Sequence, residues 1–308
     1  MLKTKIFTII LSSLLFGQPV KALQIADFLQ PGVDLGFSAV AYLVVERNSG
    51  QILLSKNSDL PWVPASLTKL VTVLTVLDFN PDLKKSVAIT SEDQMAGQCK
   101  KGGACLATKP GVAYTIDSLV HASLIASANN AASALARSTG LSSGEFVKKM
   151  NQKAALLGAA HTVFYEPNGM DPANKTTAED TAKIVAAAFQ NPYLKGIASN
   201  LQYTVVSTNK RRYVHKLKNT NQLLGEERIT VVGGKTGFLE ESGHNFGSWL
   251  VDRFDSNFIV VVFGSKSVNA EFDETKKLLD LGGLALAFKS QVLGTSTNNS
   301  LIFPPLPR

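Results

Sequence analysis

Cysteine, tryptophan and histidine are scarce in this chain of 308 residues, which contains two, two and four of them. Two cysteines exclude a disulfide-rich scaffold, and no further cysteine or histidine lies near them to complete a zinc site. We therefore expect no metal and no other cofactor. Cys99 and Cys105 lie in a loop rich in glycine and lysine, where export from the cytoplasm would permit a disulfide.

Long hydrophobic runs are missing after the first few residues. The chain starts with a short basic segment, continues with an apolar run at residues 6–17, and has small or apolar side chains at Val20 and Ala22. This pattern is typical of a secretory signal peptide, which we predict for residues 1–22. The run is shorter than the roughly 18 apolar residues that a membrane span requires. We expect a periplasmic or extracellular protein without a transmembrane anchor after signal removal.

Charge of either sign is only weakly in excess. The formal charge is +7 at pH 7, and three lysines lie within residues 1–22, which leaves 7 − 3 = +4 for the mature chain. This excess is ordinary for a soluble protein, and an adaptation to an anionic cell-wall polymer is the alternative interpretation. An exported chain without a basic cluster interleaved with aromatic residues is not expected to bind nucleic acid.

The hydrophobic pattern predicts one mixed α/β (α+β) domain over residues 23–289 and a flexible tail over residues 290–308. Strands at both ends and helices in the middle predict an antiparallel sheet built from both chain ends, with flanking helices and a mostly helical lobe. The predicted strands are 41–45, 51–54, 202–206, 229–232, 247–251 and 258–263, and the predicted helices include 116–126, 130–136, 142–157, 178–189 and 271–288.

Two of these helices start at a predicted capping box, in which Ser or Thr precedes an acidic side chain by three residues. Ser142 with Glu145 and Thr177 with Asp180 have this spacing. Residues 87–107, which hold several glycines and both cysteines, are predicted to be irregular.

The stretch Pro64-Ala65-Ser66-Leu67-Thr68-Lys69 continues into an apolar segment without Gly or Pro, which predicts a helix with Ser66 in its first turn. Residues three apart share a helix face, so the amine of Lys69 can lie beside the hydroxyl of Ser66. A serine becomes a nucleophile when a neighbouring base takes its proton, and a lysine is such a base when burial or a second cation keeps it neutral. Ser66 and Lys69 are therefore candidate catalytic residues.

Spacing alone does not identify a site, because Ser207 and Lys210 repeat it in a stretch that is predicted to be a solvated turn. Two further motifs accompany the first copy. Ser127-Ala128-Asn129 falls between two predicted helices, and Lys235-Thr236-Gly237 follows a predicted strand, at separations of 61 residues from Ser66 to Ser127 and 108 from Ser127 to Lys235.

The order and spacing of these motifs resemble those of the penicillin-recognising serine hydrolases, which include D-alanyl-D-alanine peptidases and serine β-lactamases. Ser-Ala-Asn at residues 127–129 is similar to the low-molecular-mass D-alanyl-D-alanine carboxypeptidases, whereas class A β-lactamases usually carry Ser-Asp-Asn. The resemblance extends over residues 35–288 and includes the segment Glu166-Pro167-Asn168-Gly169-Met170-Asp171.

The resemblance implies a serine D,D-peptidase that acts on peptidoglycan stem peptides ending in D-Ala-D-Ala. Ser66 would form an acyl-enzyme, Lys69 would take its proton, and Ser127 would pass a proton to the leaving amine. No cofactor is implied, and β-lactam antibiotics would be covalent inhibitors. The implied substrate-binding residues are Asn129, Lys235, Thr236, Gly237 and Phe238.

Carboxypeptidase and D,D-endopeptidase activity use the same catalytic set, and both remain open. We expect a carboxypeptidase first, although a chain without the additional β-rich domain and amphipathic anchor of many carboxypeptidases is similar to the endopeptidase branch. A β-lactamase is less expected, because Pro167-Asn168-Gly169 breaks the spacing from Glu166 to the Leu-Asn of class A enzymes. A catalytically silent binder would have lost Ser66, Lys69 or Lys235, and all three are present.

Overall fold

The computed structural model of the protein describes residues 35–292 and 300–303. The predicted signal peptide, residues 1–22, lies outside this part, as does much of the predicted tail. Where the tail is described, residues 290–292 belong to the last helix, and the backbone N–H of Leu301 donates to the carbonyl of Gly50 at 2.6 Å. None of the helices within the described ranges is long and apolar enough to cross a membrane.

The described residues form nine strands, which are β1 (Ala41–Glu46), β2 (Ile52–Lys56), β3 (Ser86–Ala88), β4 (Ala113–Thr115), β5 (Gln202–Val206), β6 (Val214–Lys218), β7 (Thr230–Leu239), β8 (Gly243–Val251) and β9 (Asn257–Ser265). Five of them form an antiparallel sheet in the order β2-β1-β9-β8-β7. Because β1 pairs with β9, the sheet joins the two ends of the chain, and the predicted fold class is confirmed. The pairs β3–β4 and β5–β6 form two smaller sheets.

The central strand β9 is buried on both faces. Ile259 and Val261 pack into one hydrophobic cluster, and Val260 and Val262 pack into another on the opposite face, as the alternation of side chains along a strand requires. Burial of each such side chain contributes roughly 1.5–3 kcal/mol. The centre of the sheet therefore packs against a hydrophobic cluster on each of its two faces.

The described residues form eight α-helices, which are α1 (Thr68–Leu77), α2 (Ser91–Ala96), α3 (Ile116–Ile125), α4 (Asn129–Ser138), α5 (Ser143–Leu156), α6 (Ala178–Gln190), α7 (Pro192–Ala198) and α8 (Val268–Val292). α1 lies at the centre of the helical lobe, in contact with α3, α4, α5 and α6, and it is buried over almost its whole length. α8 covers the opposite face of the sheet. Polar side chains on α1 are therefore held in the interior of the protein.

The helix starts follow the local sequence, with one difference from the prediction. Ser142 Oγ accepts the N–H of Glu145 at 3.3 Å, and the Glu145 carboxylate accepts the N–H of Ser142 at 2.9 Å, so the predicted capping box forms at α5. At α6, Thr177 accepts the N–H of Asp180, but the Asp180 carboxylate accepts the backbone N–H of His161 instead. Only half of that predicted box forms, because its carboxylate ties the preceding loop to the helix.

The structure contains several short elements that the sequence did not predict. The segment 87–107, predicted to be irregular, contains most of β3 and all of α2, and the disulfide between Cys99 and Cys105 closes the loop that follows. β4 and β6 are also additional. β3 and β4 span three residues each, which is too short for alternation to be recognised, and β6 buries only Leu217 among charged and exposed neighbours.

β7 continues to Leu239, well past its predicted end at residue 232. In the sequence, Gly233 and Gly237 suggest that the strand ends before them, but in the structure they are points of close packing within β7. A Cβ at Gly233 would lie 2.3 Å from the ring of Phe189, and one at Gly237 would lie 2.7 Å from the carbonyl oxygen of Pro64. β7 therefore passes directly beside the segment that carries Ser66.

Candidate active site

Ser66 lies in a 3-10 turn, Ala65–Leu67, that runs directly into α1. The sequence predicts Ser66 in the first turn of the α-helix itself, and the tighter turn leaves its side chain partly exposed. Ala65 has a φ of +50°, which is uncommon for a residue with a side chain. This backbone holds an accessible Ser66 hydroxyl next to the fully buried Lys69.

The amine of Lys69 has three partners. Nζ lies 2.8 Å from Ser66 Oγ and 2.6 Å from Oδ1 of Asn129, and it also donates to the backbone oxygen of Asn168. Nδ2 of Asn129 donates to the carbonyl of Gly97 at 3.2 Å, which fixes the orientation of the Asn129 amide.

These partners determine the direction in which the lone pair of a neutral Lys69 points. Oδ1 of Asn129 and the backbone oxygen of Asn168 can only accept, so they take the two N–H groups of a neutral amine. The remaining lone pair faces Ser66 Oγ and can receive its proton. Burial lowers the pKa of Lys69 well below its ordinary value, and the charge of Lys235 lowers this pKa further. The geometry and the charges both suit Lys69 to act as a base towards Ser66.

Lys235 holds the second candidate serine. Its Nζ donates to Ser127 Oγ at 2.9 Å and to the carbonyl of Thr236 at 2.9 Å. Ser127, between α3 and α4, has a φ of +58°, a strained conformation for a residue with a side chain. Burial lowers the pKa of Lys235 to about 7, and the carboxylate of Glu271 opposes this shift. The ammonium of Lys235 therefore orients Ser127.

Asn129, a predicted substrate-binding residue, starts α4 and is only 2% exposed. Besides its contacts with Lys69 and Gly97, Nδ2 lies 3.1 Å from Sδ of Met170. Both ends of the Asn129 amide are thus engaged within the protein. The structure gives Asn129 a contact with Lys69 that the sequence does not indicate, and the binding of a substrate amide by Asn129 stays a prediction.

Thr236 and Gly237 lie on β7 beside the Ser66 turn. Thr236 Oγ1 donates to Oγ1 of Thr220 at 2.7 Å, so this predicted substrate-binding residue has a partner that the sequence does not indicate. A Cβ at Gly237 would lie 3.1 Å from the backbone nitrogen of Ser66. Only glycine permits this close approach of β7 to Ser66 without displacement.

Phe238, next on β7, has a side chain that is 55% exposed. Its ring centroid lies 4.5 Å from that of His244, its partner on β8. The two rings form an apolar patch on the outer strand of the sheet, close to Ser66.

Glu166 stabilises the loop in which the Asn168 carbonyl accepts a hydrogen bond from Lys69. Its carboxylate accepts the backbone N–H groups of Asn168 and Gly169 at 2.6 Å each. Burial raises the pKa of Glu166, and these hydrogen bonds oppose the shift. Gly169 has a φ of +83°, and a Cβ there would lie 2.1 Å from the carbonyl oxygen of Ala65. The carboxylate of Glu166 is therefore engaged in capping this loop.

Glu271, in the first turn of α8, is a buried carboxylate that the sequence interpretation misses. It is 2% exposed, its Oε2 has no hydrogen-bond partner within the described structure, and it lies 4.0 Å from Nδ1 of His244. Burial raises the pKa of Glu271 to about 8, and the charge of Lys235 opposes that shift. Lys235 and Glu271 therefore titrate as a coupled pair. Nothing in the local sequence marks this residue, because it is one acid among several in α8.

Comparisons with known proteins identify the family. A family model described as D-alanyl-D-alanine carboxypeptidase matches residues 30–267. The chain is 33% identical over 207 residues to a D-alanyl-D-alanine endopeptidase of Haemophilus influenzae, across 67% of this chain and 68% of that relative. It is 30% identical over 244 residues to a D-alanyl-D-alanine endopeptidase of Pseudomonas aeruginosa, across 78% and 76% of the two chains. The solved structure of a D-alanyl-D-alanine carboxypeptidase from Mycobacterium tuberculosis matches with a TM-score of 0.70 and 26% identity, and the match covers 86% of this chain and 96% of that one.

Proposed function

The chain belongs to the D-alanyl-D-alanine carboxypeptidase family, and we propose that it hydrolyses peptidoglycan stem peptides ending in D-Ala-D-Ala through an acyl-enzyme on Ser66. The observation that carries this proposal is the contact of the buried Lys69 amine with the Ser66 hydroxyl at 2.8 Å. The close approach of β7 at Gly237 and the bond from Lys235 to Ser127 support it.

Acylation starts when Ser66 Oγ attacks the carbonyl carbon of the penultimate D-alanine and its proton passes to Lys69. The backbone N–H groups of Ser66 and Phe238 hold the oxyanion, and such a donor lowers the barrier by roughly 3 kcal/mol. As the C–N bond breaks, a proton moves from Lys69 through the Ser127 hydroxyl to the leaving amine. Water then attacks the ester, Lys69 takes its proton, and Ser66 is released.

The terminal carboxylate of the substrate binds to the Lys235 ammonium and the Thr236 hydroxyl. Such charge-assisted bonds are roughly twice as strong as neutral ones. Lys235 would therefore serve two purposes, because the same ammonium orients Ser127. On binding, the hydroxyl proton of Thr236 turns from Thr220 to the substrate carboxylate, and the Thr220 hydroxyl can donate to Thr236 Oγ1 in its place. The exposed Phe238 ring forms one apolar wall for the peptide.

A D,D-endopeptidase is the second candidate function, because the relatives from Haemophilus influenzae and Pseudomonas aeruginosa carry that name. In that reaction the leaving amine belongs to a second stem peptide instead of a free D-alanine. The same acyl-enzyme forms on Ser66, so the two activities differ in what binds beyond the scissile bond.

The enzyme is proposed to act outside the cytoplasm, where its polymer substrate lies. The apolar run at residues 6–17 supports export through a signal peptide at residues 1–22. Residues 23–289 then form the catalytic domain.

Benzylpenicillin tests the acyl-enzyme directly, because its strained amide mimics the D-Ala-D-Ala end. Intact mass spectrometry should show one penicillin adduct that persists for hours, and digestion should assign it to the peptide containing Ser66. Release of D-alanine from a D-Ala-D-Ala peptide would establish carboxypeptidase activity, and cleavage of a cross-linked peptide dimer would establish endopeptidase activity. Consumption of penicillin without an adduct would indicate a β-lactamase. The absence of both an adduct and any hydrolysis of penicillin or peptide would indicate a catalytically silent binder.

Glu271→Gln should narrow the active pH range from its alkaline side. When the coupled pair gives up its first proton, Glu271 can become the charged carboxylate that keeps the second proton on Lys235. Glutamine cannot take up this charge, so Lys235 loses its proton, and its hold on the substrate carboxylate, at a lower pH. We expect the alkaline limb of the kcat/KM profile for a D-Ala-D-Ala peptide to move down by roughly one pH unit. The acidic limb, where Lys69 gains a proton, should stay in place, because the substitution alters none of the hydrogen-bond partners of Lys69.

Glu274→Gln is the matched control for this profile. Glu274 lies one turn further along α8 and is equally buried, but its carboxylate accepts hydrogen bonds from Ser38 at 2.7 Å and Ser265 at 2.5 Å. The control should leave the alkaline limb unchanged. A Glu271→Gln enzyme that folds normally and keeps the wild-type limb would show that Glu271 does not sustain the charge of Lys235.

A further inference from the structure

Residues 181–225 contain seven Lys or Arg residues and no Asp or Glu. Five of the seven fall within residues 210–218, which cover the tip of the β5–β6 hairpin and all of β6. Lys183 pairs with Asp180 just before this range, but the five cations of residues 210–218 have no carboxylate near them in sequence, so their field extends into the solvent.

The β5–β6 hairpin turns these charges outwards. Along β6, Lys216 and Lys218 are exposed and alternate with the buried Leu217. Their partners across the hairpin are Thr204 and Gln202, so no acidic side chain lies opposite them. The tip adds three exposed cations, which are Lys210, Arg211 and Arg212.

The tip docks on the two-stranded sheet β3–β4, which brings a sixth cation close. The N–H of Thr208 donates to the carbonyl of Ala113 at 2.8 Å, and Oδ1 of Asn209 accepts the N–H of Ala113 at 2.8 Å. Lys109 is exposed in the turn that precedes this strand. Within the described ranges, none of the six cations forms an ion pair with a carboxylate. We call them the basic hairpin surface, which comprises Lys109, Lys210, Arg211, Arg212, Lys216 and Lys218.

The basic hairpin surface starts at the candidate active site. Two residues after Lys218, the hydroxyl of Thr220 accepts from Thr236 at 2.7 Å, and its N–H donates to the carbonyl of Ile125 at 3.1 Å, just before Ser127. A strand rises about 3.3 Å per residue, so Lys218 and Lys216 lie roughly 7 and 13 Å from Thr220 along β6, and the hairpin tip lies roughly 20 Å away or further. Most of the surface is therefore beyond the length of one D-Ala-D-Ala end. The surface therefore adjoins the cleaved peptide without being part of its binding site.

We propose that the basic hairpin surface binds carboxylates of the peptidoglycan polymer outside the stem peptide that is being cleaved. This inference rests on the proposed function, which makes that polymer the substrate. Stem peptides present free carboxylates at repeated intervals along the glycan, and a row of Lys and Arg matches them through charge-assisted hydrogen bonds. Each exposed contact is weak, but several on one polymer raise the local concentration of cleavable peptide at Ser66.

Charge reversal on the hairpin separates binding of the polymer from catalysis. In Arg212→Glu/Lys216→Glu, we expect the KM for purified peptidoglycan sacculi to rise about tenfold at low salt, since attraction becomes repulsion. Hydrolysis of a short blocked peptide ending in D-Ala-D-Ala should stay within twofold of wild type, because this probe does not reach the hairpin. At about 0.5 M NaCl, where screening is strong, the difference on sacculi should disappear.

Lys148→Glu/Lys149→Glu is the matched control. These exposed lysines lie on α5, and their replacement changes the net charge by the same amount. The control should leave the KM for sacculi unchanged. An equal rise in both double variants would show that net charge, and not the hairpin, attracts the polymer, and the proposal would fail.

Cosedimentation with sacculi gives a readout that does not depend on activity. If wild type binds sacculi, the hairpin variant does not, and neither hydrolyses any D-Ala-D-Ala peptide, the inference stands and the proposed function fails. If wild type hydrolyses peptides but both proteins cosediment equally, the inference is overturned. It is also overturned if the hairpin variant loses binding only to anionic phospholipid vesicles or to duplex DNA.

Discussion

Ser66→Ala should abolish the benzylpenicillin adduct and lower D-Ala-D-Ala hydrolysis by at least about 10⁴-fold. The variant removes the oxygen that forms the acyl bond in the proposed mechanism, and water cannot occupy its place with the same orientation. Intact mass spectrometry reports the adduct, and D-alanine release reports turnover. The residual rate would measure what oxyanion stabilisation and substrate positioning achieve without a nucleophile.

The fold should not change in this variant, because Ser66 is partly exposed and its hydroxyl contacts Lys69 alone among the described side chains. Ser207→Ala is a suitable control, since Ser207 and Lys210 repeat the Ser-x-x-Lys spacing outside the site. Its hydroxyl accepts the N–H of Tyr213 at 2.9 Å, so the control alters one turn and should keep full activity. An adduct that survives in Ser66→Ala would identify a different nucleophile and refute the mechanism.

Lys69→Met should slow acylation by penicillin and by peptide by about 10³-fold, the usual size of a general-base contribution. Methionine fills a similar volume but offers no lone pair of comparable basicity to Ser66. In wild type, the acylation rate should fall as the pH drops through the lowered pKa of Lys69, because the protonated amine has no free lone pair. The variant should lack this acidic limb. Acylation rates measured by stopped assays at several pH values test both expectations.

The same variant should lose stability by about 2 kcal/mol, because Oδ1 of Asn129 and the backbone oxygen of Asn168 are left buried without a donor. Denaturant unfolding measures this loss separately from activity. Lys210→Met is the control at the second Ser-x-x-Lys, and it should change neither quantity. Lys210 is exposed there, although Ser207, predicted to lie in a solvated turn, is buried. A Lys69→Met enzyme that acylates within tenfold of wild type would exclude Lys69 as the base.

Much of the candidate site could be found without coordinates, because its motifs are local. Ser66 and Lys69 are one turn apart, residues 127–129 mark a junction between two helices, and residues 235–237 follow an apolar strand. Their order and spacing led to the family, which the family model confirms. The antiparallel sheet built from both chain ends was equally accessible, because alternating apolar strands and a helix at each end leave few other arrangements.

Other parts of the site depend on residues that meet only in three dimensions. The carbonyl of Asn168 reaches Lys69 because Glu166 folds its loop against Ala65, and a backbone oxygen leaves no mark in a sequence. β6 was missed because a half-exposed strand with charged residues does not show strong alternation. The basic hairpin surface was therefore recognised only when its strand and tip were seen together.

The sequence by itself determined the family, the three motifs and the sheet that joins the chain ends, since short-range spacing and hydrophobic periodicity encode them. Only the tertiary structure decided which lysine can act as a base. Lys69 and Lys235 are both buried, but the partners of Lys69 take its two N–H groups, and Lys235 faces Glu271. Protonation depends on burial and on neighbouring charges, and the groups that provide them here are distant in sequence.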